Sequence, residues 1–192
     1  MRALRILLAS ASPRRRALLE QLGHQVTVRA VALDEAERSG ENATEYVARI
    51  VAEKLAAARA SAPAGGWDAL LVADTVVALD GGLLHKPVDE PDGRRMLRAL
   101  AGRAHDVTTR FSIATPQGRV HVESVATRVV FRRLADDEIE AYVRAGEGAD
   151  KAGGYGIQGL AGAFVTRLEG SYGAVVGLPL AEVAVALREL CP

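Results

Sequence analysis

Residues 69–79, ALLVADTVVAL, form the most apolar stretch of the chain and determine its fold. Nine of these eleven residues are apolar, which is typical of a central strand buried on both faces of a sheet. A carboxylate in such a strand is unfavourable unless a metal, cations or hydrogen bonds compensate it, so Asp74 is a candidate functional residue. The alternative is that Asp74 marks the end of the strand and only caps neighbouring backbone. Thr75 points to the opposite face if the strand is regular, or faces the same cleft if the strand ends here.

The start of the chain predicts a strand, a tight turn and a helix. Residues 4–9, LRILLA, are typical of a short buried strand, and the helix then has Ser12 as its N-cap, Pro13 at its first position and Gly23 beyond its end. The turn sequence SASPRRR, residues 10–16, places arginines beside unpaired helical N–H groups, where phosphate oxygens bind well. Three successive arginines oppose the helix dipole, which favours a bound anion, although a solvated basic helix start is the alternative. The sequence contains no P-loop motif GxxxxGK[ST].

The remaining elements alternate between strands and helices. Asn42 and Glu45 have the spacing of a capping box for a helix over residues 43–61, and Lys54 continues its apolar row. The other predicted strands are residues 25–31, 105–115 and 119–131, with a further strand near GAFVTRLEG. The other predicted helices are residues 92–100, one in LADDEIEAYVRAG and one starting near Pro179. This order predicts an α/β protein with a mixed sheet, folded as a single domain over residues 1–192.

Lysine is rare in this chain, with three lysines against 21 arginines. A position that stays Lys where Arg is abundant suggests a need for a compact, strongly hydrated ammonium group. Lys54 lies on an apolar helix row, Lys86 follows a hairpin, and Lys151 opens the glycine-rich segment DKAGGYGIQG, which also contains Gln158. Together with the arginines near residue 14, these lysines suggest a polyanionic ligand such as a triphosphate. The alternative is that the positions of the three lysines are a matter of chance.

Composition limits the remaining classes of function. The net charge is zero, so no global positive field favours nucleic acid or an anionic membrane. The single cysteine, Cys191, excludes a disulfide framework and multi-cysteine metal sites. Neither a signal peptide nor an 18-residue apolar run is evident, so we expect a cytoplasmic protein. The four histidines have no ligand-like spacing, and Glu35 lies in a charge-rich loop that on local grounds alone is solvated.

Six motifs in order resemble one family, the Maf-like nucleoside triphosphate pyrophosphatases. The motifs are LASASPRRRALLEQLG (8–23), YVARIVAEKLAAA (46–58), VADTVVALDGGLLHKPVDEP (72–91), MLRALAGRAHDVTT (96–109), DKAGGYGIQGLAGAFV (150–165) and GSYGAVVGLPL (170–180). One departure is Gly154, where the family more often has Ala. The resemblance implies an elongated mixed sheet with helices, in two lobes around a deep cleft. It also implies hydrolysis of a nucleoside triphosphate to the monophosphate and pyrophosphate with Mg²⁺ or Mn²⁺, and a homodimer is a further family-based expectation.

The resemblance assigns roles to ten residues of this sequence. Asp74 matches the catalytic acid and, with Glu35, a metal ligand; Ser10, Arg15, Lys54, Lys86 and Lys151 match residues around the phosphates. Arg14, Thr75 and Gln158 match the positions that separate the dTTP/UTP branch from the 7-methyl-GTP branch, which has Trp, Gln and Glu there. This chain therefore resembles the pyrimidine branch. The alternatives are a 7-methyl-GTP or other modified-nucleotide pyrophosphatase, a phosphatase releasing single phosphates, and a nucleotide-binding regulator of septum formation.

Overall fold

The computed structural model describes residues 2–192, and its centre is one seven-stranded mixed sheet. The strands are β1 (Arg5–Leu8), β2 (Gln25–Val28), β3 (Ala69–Leu79), β4 (Gly82–Leu84), β5 (Ala104–Ala114), β6 (Val120–Phe131) and β7 (Val165–Glu169). Their order is β2-β1-β3-β5-β6-β7, with β4 also paired to β3. β1 is parallel to both β2 and β3, and the other pairs are antiparallel. The predicted α/β class with a mixed sheet is confirmed.

In the described residues, six α-helices flank this sheet. They are α1 (Pro13–Gln21), α2 (Ala43–Ser61), α3 (Glu90–Leu100), α4 (Asp136–Arg144), α5 (Tyr172–Val176) and α6 (Leu180–Leu190). The bounds of α2 are those predicted, and the capping box is present: Asn42 accepts from the Thr44 and Glu45 N–H groups while the Glu45 carboxylate accepts from the Asn42 N–H. None of the helices within residues 2–192 has the length and hydropathy needed to cross a bilayer.

The sheet packs against helices on both faces, and β3 supplies side chains to each face in turn. Leu71 and Ala73 pack with α1 and α6, whereas Leu70 and Val72 pack with α2. A further apolar cluster joins α3 and α4 to the far half of the sheet, around Phe131. The alternation follows from the two-residue period of a strand. It places Asp74 on the α2 face and Thr75 on the opposite one.

One edge of β3 is open in the middle of the strand. β1 pairs with β3 only as far as Leu71, and β4 begins to pair at Val77. Residues 72–76 are paired with β5 alone. This gap, which we call the notch, lets side chains from both faces of β3 reach the same space. The strand continues to Leu79, so the interpretation of Asp74 as a strand end is wrong.

Some boundaries differ from the predictions. β2 ends at Val28 rather than at residue 31, and α3 begins at Glu90 rather than at residue 92 because Asp89 accepts from the Asp92 N–H as its N-cap. The short helix α5, with Ser171 as its N-cap, was not predicted. Nor were the 3₁₀ turns Ala152–Gly154 and Leu160–Phe164, because segments this short and glycine-rich have no helical period.

Candidate active site

A cavity of about 840 Å³ opens at the notch. All ten residues singled out from the sequence line it: Ser10, Arg14, Arg15, Glu35, Lys54, Asp74, Thr75, Lys86, Lys151 and Gln158. They come from the turn before α1 and α1 itself, the loop before α2, α2, β3, the segment after β4, and the glycine-rich segment. The fold therefore brings together residues up to about 150 positions apart in the chain.

Lys54 lies between two carboxylates on one side of the cavity. Its Nζ is 2.7 Å from Asp74 Oδ1 and 2.6 Å from Glu35 Oε1. The Lys54 and Asp74 side chains are 11% and 15% exposed, whereas the Glu35 side chain is 43% exposed. Burial of a charged group on α2 is thus compensated by direct ion pairs. In their charged forms, one ammonium and two carboxylates leave one negative charge in excess.

Tyr46 lies on the same side of the cavity as Asp74 and Glu35, and their negative charges affect its pKa. Its hydroxyl donates to the Glu35 carbonyl oxygen at 3.0 Å, which holds the loop that carries Glu35 against α2. Burial, and then the negative charges of Asp74 and Glu35, raise the pKa of Tyr46 to about 12. Tyr46 therefore stays a neutral hydrogen-bond donor at physiological pH.

Arg15 is held on the other side by neutral acceptors alone. Its Nε donates to the Gly177 carbonyl at 2.8 Å, one Nη to Ser10 Oγ at 3.0 Å and the other Nη to Thr75 Oγ1 at 3.1 Å. No carboxylate of residues 2–192 forms an ion pair with it, and burial lowers the pKa of the guanidinium. A fixed cation without a counter-ion is suited to receive an anion.

Arg14 and Lys86 complete the cationic side. Arg14 Nε donates to the Val176 carbonyl at 3.3 Å, and the side chain is half-buried. Lys86 is exposed in the segment that follows β4, and its ammonium has no hydrogen-bond or ion-pair partner among residues 2–192. Its flexible stem leaves it able to reach a ligand in the cavity.

The glycine-rich segment forms the rim of the cavity. Lys151 Nζ donates to the Glu147 carbonyl at 2.5 Å and to Asp150 Oδ1 at 2.6 Å. Gln158 is exposed, and its amide is free of partners in the described part of the chain. Gly153, with φ of +72°, brings its backbone so close to Val77 that a Cβ atom would lie 3.1 Å from Val77 Cγ1. A glycine is required there for the rim to pack on β3.

The sequence did not single out Tyr46, His85 and Glu147, which also line the cavity. His85 Nε2 lies 3.0 Å from Glu37 Oε2, and its ring packs edge-on against Tyr46. The Glu147 carboxylate accepts from the Tyr142 hydroxyl at 3.0 Å and from the Leu160 N–H at 2.9 Å. The only sequence signals for them were the place of Tyr46 on the same helix row as Lys54 and the closeness of His85 and Glu147 to Lys86 and Lys151.

The donor set on the negative side suits a hard divalent cation. Asp74 and Glu35 each use one oxygen on Lys54, and their second oxygens have no partner within residues 2–192. Mg²⁺ prefers carboxylate oxygens and commonly binds through one or two carboxylates together with substrate phosphates. No group of three or more His, Cys, Asp or Glu side chains in residues 2–192 could hold a metal ion by itself.

Comparisons with known proteins gave one matching family and several similar proteins. A family model described as Maf-like protein matches residues 5–190. A dTTP/UTP pyrophosphatase of Hahella chejuensis is 45% identical over 185 residues, which cover 96% of this chain and 92% of the relative. One of Anaeromyxobacter dehalogenans is 49% identical over 187 residues, covering 96% and 93%. Among solved structures, a nucleoside-triphosphatase, dITP/XTP pyrophosphatase, of Mycobacterium abscessus has a TM-score of 0.42 at 16% identity, covering 68% of this chain and 76% of that one.

Proposed function

This chain belongs to the family of Maf-like proteins, and we propose that it is a nucleoside triphosphate pyrophosphatase acting on dTTP and UTP. The products are the nucleoside monophosphate and pyrophosphate. The observation that carries the proposal is the cavity at the notch, where Asp74 faces a set of cations drawn from separate elements. Relatives that are 45–49% identical over nearly the whole chain and bear the name dTTP/UTP pyrophosphatase support it.

In the proposed reaction, water attacks the α-phosphorus and the bond from that phosphorus to the bridging oxygen breaks, releasing pyrophosphate. The barrier is largely electrostatic, because negative charge develops on the leaving group and must be neutralised. Arg15 supplies a fixed positive charge, since three neutral acceptors hold its guanidinium in place. Arg14, Lys86 and Lys151 add positive charge around the same cavity.

Asp74 is the proposed catalytic carboxylate. Its Oδ1 is occupied by Lys54 at 2.7 Å, which leaves Oδ2 to act as a base toward the attacking water, as a metal ligand, or as both. The ion pair with Lys54 compensates the charge of Asp74 in its partly buried setting. Glu35 and Asp74 are the residues proposed to hold Mg²⁺ or Mn²⁺, which when bound would neutralise phosphate charge.

Base selection is proposed to lie with Gln158, Thr75 and Arg14. Thymine and uracil present an imide N–H flanked by two carbonyl oxygens, and the Gln158 amide offers both a donor and an acceptor to that edge. Thr75 leaves room in the cavity because it is small. Arg14 places a cation at the cavity wall, which disfavours the positively charged ring of 7-methylguanine.

The test is a panel of nucleoside triphosphates with Mg²⁺ or Mn²⁺, with monophosphate, diphosphate, phosphate and pyrophosphate resolved among the products. We expect pyrophosphate from dTTP and UTP, with kcat/KM at least ~10-fold above the values for ATP, GTP and 7-methyl-GTP. Release of single phosphates would identify a phosphatase instead. Binding of nucleotides without turnover would identify a regulator.

A further inference from the structure

We propose that Thr109, a residue of β5 outside the cavity wall, fixes Thr75 as a hydrogen-bond acceptor and thereby sets the preference for imide bases. This inference rests on the proposed function and extends it to a residue beneath the site. Thr109 is fully buried and lies directly opposite Thr75 in the β3–β5 register. Its role would be to position the proton of Thr75, without contact to the substrate.

The direction of the hydrogen bonds follows from counting protons. A threonine hydroxyl has one proton to donate and two lone pairs to accept. Thr109 Oγ1 lies 2.6 Å from the Ala174 carbonyl oxygen, which has no proton, so Thr109 must donate in that bond. The two hydroxyl oxygens of Thr109 and Thr75 lie 2.7 Å apart. Since the Thr109 proton is already used, Thr75 must be the donor in this second bond.

Thr75 therefore faces the cavity with lone pairs only. One lone pair accepts from an Arg15 Nη at 3.1 Å, and the other is left for a donor on the ligand. Uracil and thymine carry an N–H donor at N3, whereas cytosine has a bare ring nitrogen there that can only accept and carries its donor on the amino group at C4. Where the free lone pair of Thr75 meets N3, an acceptor-only Thr75 favours UTP and dTTP over CTP.

The acceptor that orients Thr109 is itself fixed by the fold. Ala174 is fully buried in α5, and its N–H donates to the N-cap Ser171 Oγ at 3.3 Å. Gly177, which follows α5, lies beside the Thr75 end: a Cβ atom there would lie 3.7 Å from Thr75 Oγ1. The hydroxyl chain from Ala174 to Thr75 is therefore held from both ends.

Thr109→Val is nearly isosteric but offers no lone pair to the Thr75 proton, so the Thr75 hydroxyl becomes free to rotate and donate. Thr109→Ser keeps the hydroxyl and is the matched control. The measurement is kcat/KM for UTP and for CTP with Mg²⁺, with circular dichroism and Tm confirming that each variant is folded. We expect the UTP-to-CTP ratio to fall at least ~5-fold in Thr109→Val and to stay within about twofold of the parent in Thr109→Ser.

Several outcomes would overturn the inference. These are an unchanged ratio in folded Thr109→Val, an equal fall in Thr109→Ser, and a parent that hydrolyses CTP as well as UTP. If Thr109→Val does not fold, Thr109→Cys gives the same readout, because a thiol donates and accepts weakly. A parent that releases no pyrophosphate from UTP or dTTP would instead refute the proposed function itself.

Discussion

At the scale of single residues, the cavity separates its charges into two sides. Glu35, Lys54 and Asp74 form an ion-paired group with a carboxylate in excess, whereas Arg15 has only neutral partners. A group with excess negative charge attracts a cation, and an unpaired guanidinium attracts phosphate. The two sides therefore match the two kinds of charge that the proposed metal-bound nucleotide would bring.

Asp74→Asn tests the catalytic role proposed for the carboxylate on the negatively charged side of the cavity. The change is nearly isosteric but removes the charge and the basic oxygen, so we expect turnover to fall by at least ~10²-fold. Lys54 keeps its ion pair with Glu35 at 2.6 Å, so the fold should survive. Asp106→Asn, at an exposed carboxylate on β5, is the matched control. Steady-state kinetics within threefold of the parent, in a folded Asp74→Asn variant, would remove Asp74 from the mechanism.

Lys86→Arg and Lys151→Arg test the inference from lysine scarcity. Lys151 donates from one compact Nζ to two oxygens at 2.5 and 2.6 Å, a geometry that a planar guanidinium cannot reproduce. We expect kcat/KM for dTTP to drop ~10-fold or more in at least one variant, because displacing a positioning cation is costly. Arg98→Lys, at an exposed ion pair with Asp136, is the control for a charge-preserving exchange. Full activity in both lysine variants would show that their rarity was a matter of chance.

Gln158→Glu tests base selection. An ionised carboxylate only accepts hydrogen bonds, so it cannot donate to a carbonyl of uracil, whereas it suits the N–H donors and positive ring of 7-methylguanine. An unpaired polar edge costs about 1–3 kcal/mol, so the preference for UTP over 7-methyl-GTP should fall ~5- to 150-fold. Competition between the two substrates in one reaction measures the ratio directly. A parent that hydrolyses 7-methyl-GTP or ITP best would already contradict the assignment.

At the scale of elements, α4 and the segment after it determine where the glycine-rich rim lies. The Tyr142 hydroxyl accepts from the Gly156 N–H at 2.9 Å and donates to Glu147, whose carboxylate accepts from the Leu160 N–H. These two backbone N–H groups flank Gln158 by two residues on each side. The carboxylate also lies against Gly159, where a Cβ atom would come within 2.3 Å of it.

Glu147→Ala should therefore loosen the rim. We expect KM for dTTP and UTP to rise ~10-fold and the preference for pyrimidines to fall, with a smaller change in kcat, because the rim positions the base and not the reacting phosphorus. Glu147→Gln retains an acceptor for the Leu160 N–H and should restore part of the preference. Tyr172→Phe, at an exposed tyrosine on α5, is a neutral control. A fall in kcat alone, with KM and base preference unchanged, would contradict this role.

Local signals predicted the elements well, and contacts between distant residues account for what they missed. The bounds of α2 follow from a capping box and an apolar row, and those of β3 from a segment in which nine of eleven residues are apolar. The notch depends on where β1 and β4 stop pairing with β3, which no local pattern encodes. Thr109 looks like any threonine of a strand in the sequence, because its partners Thr75 and Ala174 are 34 and 65 positions away. The resemblance supplied the role of Glu35, since its loop alone indicated a solvated residue.

At the scale of the whole molecule, a buried histidine links stability to pH. His105 is 2% exposed. Its ring lies edge-on to the rings of Phe131 and Tyr155, with centroids 5.0 and 5.4 Å away. Its Nε2 lies 2.8 Å from the Tyr155 hydroxyl oxygen. It belongs to the apolar core between the sheet and the helices α3 and α4, and Tyr155 continues from it to the cavity. Burial lowers the pKa of His105 to about 4, from an ordinary value of 6.5.

Protonation of His105 should therefore destabilise the native state in mild acid. Above pH 6.5 neither state is protonated there, and the full stability is present; between pH 6.5 and about 4 the unfolded chain binds a proton that the native state excludes. The loss can reach roughly 3 kcal/mol at the acid end of this window. Burial also lowers the pKa of His24, which adds to the loss in the same direction.

The measurement is urea unfolding of the parent and of His105→Gln at intervals from pH 7.5 to 5. This range lies above the window of Glu41, whose pKa the Arg49 hydrogen bonds lower to about 2, so carboxylate protonation contributes little. We expect the free energy of unfolding to fall with pH in the parent and to fall less in His105→Gln, whatever the absolute stability of the variant. His121→Gln, at a partly exposed histidine of β6, is the control for replacing a histidine outside the core. Equal pH dependence in the parent and His105→Gln would mean that the native core tolerates the imidazolium, and that acid sensitivity arises elsewhere in the molecule.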